Sequence, residues 1–509
     1  MSRTKRFIGG VSFGYFNQAL IMVAGLWLTP FLLHRLGQQE YGLWLVGTQV
    51  LTYLALMDWG VIALLPRATA YATGRAGGVD KATDLPEIIG QTARLVLWQT
   101  PLVLLIGAAL WLSTTAQWPA LRLPLGVIVL AFVVFFPLRI FQAVLRGIQD
   151  QAFLGKTQLY AWVVAQALII GLVWRGVGLE ALAAGWVITQ LLLVGMQWRR
   201  LRKRFPQILP ARLPSLTWTK ARAHLTQGGW VSLMQIAETL LNGTDLFIIG
   251  LLLGPAAVVP FVCTGKLITV LANQPQMLIQ SAAPALSEMR MGEGRKRLFQ
   301  VCTALCQAML ITSGAVACVV LAVNQGFVNW WVGAGQYSGL TLTLLLLLSM
   351  LLRHWNTTAV YSIFCFGYER RIALTTLADG VVTVGAAAAL IWWLGPIGAP
   401  LGSIMGSCFI SLPGNLSALA RETEVSMPAL LKPLWPWFWR FLLLMAVVGI
   451  GTHRWAPVTI LAVGVTVLIV ALLYAVVMLP IALRSTLGEY LRPMLAAARI
   501  RVAGLLPAV

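Results

Sequence analysis

A train of apolar runs, each close to the roughly 20 residues that an α-helix needs to cross bilayer hydrocarbon, governs what this chain can fold into. The runs fall at 8-33, 43-65, 93-113, 125-145, 157-174, 177-198, 227-253, 256-284, 298-323, 338-364, 372-394, 397-419, 437-455 and 457-483. Lipid offers no partner to a backbone N–H or C=O, so runs of this length cross as helices. The expectation is an all-α polytopic membrane protein with about 14 transmembrane helices. Composition agrees: 59% of residues are hydrophobic and only 10% charged, against about 25% charged in a soluble domain. The first run follows Ser2 to Arg6 (SRTKR). It is too long for a signal-peptide core and has no small-x-small cleavage site, so it is expected to be a retained helix.

The formal net charge of +21 would point to nucleic acid in a soluble chain. In a membrane protein, retention of Lys and Arg by cytoplasmic loops accounts for it, and no nucleic-acid partner is expected. With the N-terminus inside, 28 of the 37 Lys and Arg fall in cytoplasmic segments, and only Arg35, Arg122, Arg175 and Arg454 fall outside. One miscounted helix would invert everything after it, so this asymmetry supports the count and places both termini in the cytoplasm.

Eight of the cytoplasmic charges lie in one segment, Arg199 to Thr226, which has three prolines and no carboxylate. It divides the chain into an N-terminal lobe of helices 1-6 (1-198), a basic cytoplasmic linker (199-226), a C-terminal lobe of helices 7-12 (227-419), and helices 13-14 with a tail (420-509). The lobes repeat one another. Gly9-Gly10 to Leu36-Gly37 lines up with Gly228-Gly229 to Leu253-Gly254, Pro66 with Pro284, and RGIQDQAFL from Arg146 with FGYERRIAL from Phe366, at nearly one offset. Six spans separate the two starts, so the repeats share an orientation.

At these residues the chain resembles a known family. LGQQEYGLW (Leu36 to Trp44), MDWG (Met57 to Gly60), VLRGIQ (Val144 to Gln149) and Leu253-Gly254 are similar to the polysaccharide-transporter branch of the multidrug, oligosaccharidyl-lipid and polysaccharide exporters, the Wzx-type flippases. The resemblance implies two six-helix lobes around a central cavity. It also implies alternating access, and flipping of an undecaprenyl-diphosphate-linked oligosaccharide across the bacterial inner (cytoplasmic) membrane for O-antigen, capsule or exopolysaccharide synthesis. Membrane lipids and the polysaccharide polymerase and export machinery are the partners it implies, and helices 13 and 14 become an addition to a twelve-helix core.

Charges inside the spans carry what the residues say by themselves, because a charge in hydrocarbon is costly and normally faces a cavity or a partner. They are Asp58, Arg139, Glu238, Asp245, Lys266, Arg353 beside His354, and Asp379. One reading is a wet cavity. Arg353, Lys266 and Arg139, with Asn17 and Asn242, would meet a diphosphate or acidic sugar, while Asp58, Glu238, Asp245, Asp379 and His354 would serve ion or proton coupling. The other reading is that the charges pair and pin helices together. Arg353, near mid-span, is the leading substrate contact; Arg139 lies within two turns of a helix end, where it can snorkel. Glu238, Asn242 and Asp245, at i, i+4 and i+7, are expected on one helical face.

No cofactor is expected beyond a coupling H+ or Na+, and no metal or disulfide framework. Cys263, Cys302, Cys306, Cys318, Cys365 and Cys408 all sit in or beside apolar spans, where thiols pack as small apolar groups. A cation-coupled multidrug exporter of the same superfamily is the nearer alternative, but helix 1 lacks a carboxylate and the buried cations would repel cationic drugs. A membrane-embedded glycan polymerase or ligase is the further one. The longest outside loop, Asn324 to Tyr337, has no carboxylate or His, so no enzyme activity is expected. Trp330-Trp331 and the Trp435, Trp437 and Trp439 cluster are expected as interfacial anchors.

Overall fold

The structure is a computed structural model that describes residues 3–210, 212–292, 295–364, 368–454, 457–489 and 491–492; within these the side chains of 3–24, 220, 223, 228, 277–278, 280–292, 295, 369 and 453–454 fall outside the described part. Every regular element among the described residues is helical, as expected. The chain forms two compact units, Met1–Val259 and Pro260–Val509.

The first unit contains α1 (Arg3–Ala55), α2 (Val61–Ala76), α3 (Leu85–Gln117), α4 (Arg122–Phe135), α5 (Ile140–Gly147), α6 (Gln151–Trp174), α7 (Leu179–Arg204), α8 (Trp218–Asn242) and α9 (Asp245–Leu253). α10 (Pro255–Gly292) carries the chain onward. The second unit continues with α11 (Arg295–Val332), α12 (Leu340–Phe364), α13 (Glu369–Leu394), α14 (Gly398–Gly406), a π-helical turn at Ser407–Ser411, α15 (Leu412–Thr423), α16 (Met427–Leu431), α17 (Trp435–Arg454) and α18 (Ile460–Arg484).

Among the described residues nine helices are long and apolar enough to cross a membrane, or up to eleven if each of two bent pairs is one span. This number covers the described residues alone, with the first candidate beginning at Gly25, and it leaves the expected fourteen open; three features bear on it. α1 runs through two expected spans, broken only at Gly37, whose φ of 80° and ψ of 166° are not helical. The segment Arg370–Thr423 passes as a single candidate although Gly395, with φ of 70°, stands between α13 and α14. α12 is not among the nine because Arg353, His354 and Asn356 interrupt its leucines.

One aligned pair of the expected repeat shares a backbone conformation. Gly254, aligned with Gly37 by sequence, has φ of 89° and ψ of 157°, so both copies turn through the same region, which only glycine enters freely. The two turns meet: the Gln38 amide donates to the Ala256 carbonyl at 2.8 Å, and a Cβ on Gly42 would lie 2.0 Å from the Pro255 oxygen. The repeat of Gly147 at Gly367 lies outside the described residues. A Cβ at Gly147 would come within 2.5 Å of the Thr69 Cβ and 2.8 Å of the Pro66 oxygen, so the VLRGIQ motif marks where α5 crosses α2 at backbone distance.

Two spans expected to be continuous are broken. The MDWG motif forms a 3-10 turn, Leu56–Asp58, followed by Trp59 and Gly60 at positive φ, and the helices on either side are bent by 54°. Likewise Gly243-Thr244 separates α8 from α9, with a 48° bend. Asp245 therefore opens a new helix and does not extend the face of Glu238 and Asn242, because glycine and threonine disfavour helix continuation. The freed Gly243 carbonyl accepts the Tyr53 hydroxyl at 3.2 Å.

The basic segment is part helix, part packed strap. Arg199 to Arg204 complete α7, where cations complement the helix C-terminus, and Pro206 then stops the helix. The strap lies on α3: the Arg94 guanidinium donates to the Pro214 carbonyl at 2.8 Å, and Ile208 is fully buried.

In the second unit α11 is the central element. Its Leu310, Cys318 and Leu321 share a core with Leu351 of α12, Phe441 and Val448 of α17, and Val470 and Met478 of α18. The Tyr474 hydroxyl accepts the Trp437 indole N–H at 3.3 Å and donates to the Ile311 carbonyl at 2.7 Å. Trp437 is thus a core residue, whereas Trp435 and Trp439 remain exposed as expected of belt residues. The outside loop expected from Asn324 is shorter than anticipated because α11 runs to Val332. Asn324 is buried, and its amide donates to the Thr264 carbonyl and the Thr343 hydroxyl.

Candidate functional site

Two polar constellations lie within the apolar helices, one in each unit. The first is an open pocket of about 490 Å³ in the first unit, with Gln49 and Thr52 of α1, Arg139, and Gln235, Glu238 and Asn242 of α8 on its walls. Pro137 interrupts the helix here, and Arg139 sits in the 3-10 turn Phe136–Arg139 between α4 and α5. From this turn its side chain reaches the pocket wall. Its guanidinium carbon lies 5.8 Å from the Phe132 ring centroid and 5.9 Å from that of Phe136, within cation–π range. Its Nη1 is buried with no hydrogen-bond partner among the described residues.

A buried guanidinium nitrogen without an acceptor is an unmet demand. The Gln235 Oε1 is likewise buried and without a partner among the described residues, so the pocket presents donor and acceptor capacity together. Glu238 and Asn242 are exposed on the next turn, and the Asn242 amide donates to the Glu238 carbonyl at 3.1 Å. Chemically the pocket suits a ligand with an anionic oxygen for Arg139 and hydroxyls for Glu238 and Gln235.

The second constellation is closed. The Arg353 Nη1 donates to the Asp379 carboxylate. Nη2 donates to Asp379 Oδ1 at 3.2 Å, Thr383 Oγ1 at 3.0 Å and the Ser403 carbonyl at 3.2 Å, and Nε donates to Ser403 Oγ at 3.1 Å. Asp379 is fully buried. Gly406 makes room for it, since a Cβ there would fall 2.2 Å from both Asp379 Oδ1 and Thr383 Oγ1. Arg353, the leading substrate contact by sequence, is thus committed to the helices α13 and α14.

The remaining candidates separate. Asp58 is 2% exposed; its Oδ1 accepts the Gly60 N–H at 3.0 Å, so it caps the MDWG break within electrostatic range of Arg139. Asp245 does not line the pocket. Lys266, half-buried on α10, makes no ion pair or hydrogen bond among the described residues. His354 is 1% exposed, with Nδ1 2.6 Å from the Ser313 hydroxyl. The Asn17 side chain and Cys365 lie outside the described residues. Gln49, Thr52 and Gln235 were not among the expected site residues; their signal was uncharged polar side chains at helical spacing on otherwise apolar runs.

An all-helical chain with multiple apolar spans is a multi-pass membrane protein, and its fold is similar to those of solved transporters. It is similar to the structure "Lipid II flippase MurJ, inward closed conformation", with a TM-score of 0.64 and 10% identity over 94% of this chain and 100% of that one. It is also similar to "Inward-facing conformation of a multidrug resistance MATE family transporter of the MOP superfamily" (TM-score 0.51, 14% identity, 77% and 94% covered). A third is "Crystal structure of MATE in complex with MaD3S" (TM-score 0.52, 17% identity, 82% and 95% covered). Residues 95–337 match the family model described as polysaccharide biosynthesis protein, which bears out the resemblance to the polysaccharide-transporter branch read from the motifs. The sequence finds no match among the curated proteins.

Proposed function

We propose that the protein flips an undecaprenyl-diphosphate-linked oligosaccharide across the bacterial inner membrane by alternating access, with lobes 1-198 and 227-419 as the moving parts and both termini in the cytoplasm. The observation that carries this reading is Arg139: a guanidinium with a buried nitrogen that has no partner among the described residues, in a pocket of about 490 Å³ that also offers Glu238, Asn242 and Gln235. Guanidinium matches diphosphate oxygens, and the neighbouring carboxylate and amides match sugar hydroxyls. The polysaccharide biosynthesis match and the fold shared with a lipid II flippase support it. In this reading the protein needs no cofactor. Any ion gradient acts at Glu238, the carboxylate that lines the pocket.

The test is glycan and lipid-carrier analysis in a strain lacking the protein. Undecaprenyl-linked oligosaccharide accumulates on the cytoplasmic face and surface polymer is lost. Normal polymer together with increased sensitivity to cationic dyes would overturn the reading in favour of a drug exporter.

A further inference from the structure

The cytoplasmic end of the α6–α7 hairpin carries a second cavity, of about 470 Å³, lined by Phe153, Met196, Arg199, Arg200, Lys203 and Arg204. On α7 these positions fall at i, i+3, i+4, i+7 and i+8 from Met196, which puts four cations on one helical face directly below an apolar side chain. Gln197 and Leu201, on the opposite side of the same turns, are buried.

Positive loops are general in membrane proteins, and a flat cluster of lysines would mean nothing more. Here α6 shapes the cluster into a concavity. The Asp150 carboxylate accepts the Arg200 Nε at 2.9 Å, and the Arg200 guanidinium lies 4.9 Å from the Phe153 ring centroid. Arg200 is therefore fixed as the floor. Arg199, Lys203 and Arg204 have no ion-pair or hydrogen-bond partner among the described residues, and they stand exposed around it. One carboxylate against four cations leaves an excess of three positive charges at the mouth. The exposed Trp198 beside it, in contact with Phe141 at 5.2 Å between ring centroids, belongs at the membrane interface.

We infer that this cavity is a binding site for an acidic phospholipid of the cytoplasmic leaflet whose headgroup carries two phosphates. Three exposed cations around a fixed one suit two closely spaced phosphates better than a single one, and Met196 and Phe153 receive the start of the acyl chains. The site is separate from the Arg139 pocket, and its occupancy is independent of what that pocket transports. Basic clefts at the cytoplasmic ends of helices are known to select such headgroups.

The experiment uses the full chain purified in detergent, with tetraoleoyl cardiolipin as the probe, dioleoyl phosphatidylglycerol as the single-phosphate comparison, and native mass spectrometry as the readout. The triple variant Arg199→Gln/Lys203→Gln/Arg204→Gln retains the cardiolipin adduct at least about tenfold less than the unaltered protein. The charge-matched control Arg421→Gln/Lys432→Gln/Arg484→Gln retains it unchanged. Phe153→Leu, which keeps every charge, weakens it less than the triple variant does and guards against a folding failure. Equal loss in the site and control variants would overturn the proposal. So would equal retention of phosphatidylglycerol, or displacement of the lipid by inorganic phosphate, which would make the cavity a site for a soluble anion.

Discussion

A Cβ built at Gly60 would lie 2.4 Å from the carbonyl oxygen of Gly228, and one built at Gly228 would lie 2.2 Å from the carbonyl oxygen of Trp59. The MDWG break and α8 thus cross with nothing between their backbones. Gly60→Ala and Gly228→Ala each lose roughly 1–3 kcal/mol, the usual cost of overpacking. Gly229→Ala, with nothing within 4 Å of the new methyl, is neutral or slightly stabilising. Thermal unfolding of the three variants in one detergent checks the ranking; equal midpoints would mean that the crossing is looser than described.

Arg139→Ala removes a pocket donor that has no partner among the described residues. Export of the glycan falls about tenfold or more, as expected for losing a charge-assisted hydrogen bond, while protein abundance is unchanged. Arg139→Lys keeps the charge but loses the planar fork, and retains part of the activity. Surface polymer measured against membrane protein level distinguishes this from a folding defect.

Arg353 behaves differently. Arg353→Ala strands a buried carboxylate and costs about 3–5 kcal/mol, so the protein disappears from the membrane before any transport defect can be scored. The double variant Arg353→Met/Asp379→Leu is more stable than either single change. A double-mutant cycle on unfolding midpoints measures this coupling, and a zero interaction term would assign Arg353 a role outside the pair.

His354, 2.6 Å from the Ser313 hydroxyl and almost fully buried, is a packing residue in this arrangement. His354→Phe costs roughly 1–3 kcal/mol through the Ser313 group it leaves unpaired. The dependence of glycan export on external pH stays as it is in the unaltered protein. A shifted pH profile would restore His354 as a coupling residue.

Much of the fold was legible because a bilayer leaves few choices. Runs of apolar residues near membrane thickness become helices whatever their detailed sequence, and Gly37 and Gly254 marked matching turns because their backbone conformation excludes side chains. The breaks at Asp58-Trp59-Gly60 and at Gly243-Thr244 were harder to see, since hydropathy averages over a bend. The site was half legible. Charge inside a span marked Arg139, Glu238 and Arg353 alike, but sequence carries no distance, and only a distance separates a guanidinium locked to Asp379 from one left open. Proximity to a helix end made Arg139 look like the lesser candidate; from the 3-10 turn that holds Pro137 its side chain reaches the pocket wall instead.

The matched turns at Gly37 and Gly254 touch, through Gln38 on one side and Pro255 and Ala256 on the other. A seam made from two turns of one backbone conformation constrains how either can change. Each turn is part of the other's environment, so neither Gly42 nor the backbone it meets is free to change alone. A chain divided genetically at the linker would inherit this seam as the contact through which its two products recognise each other.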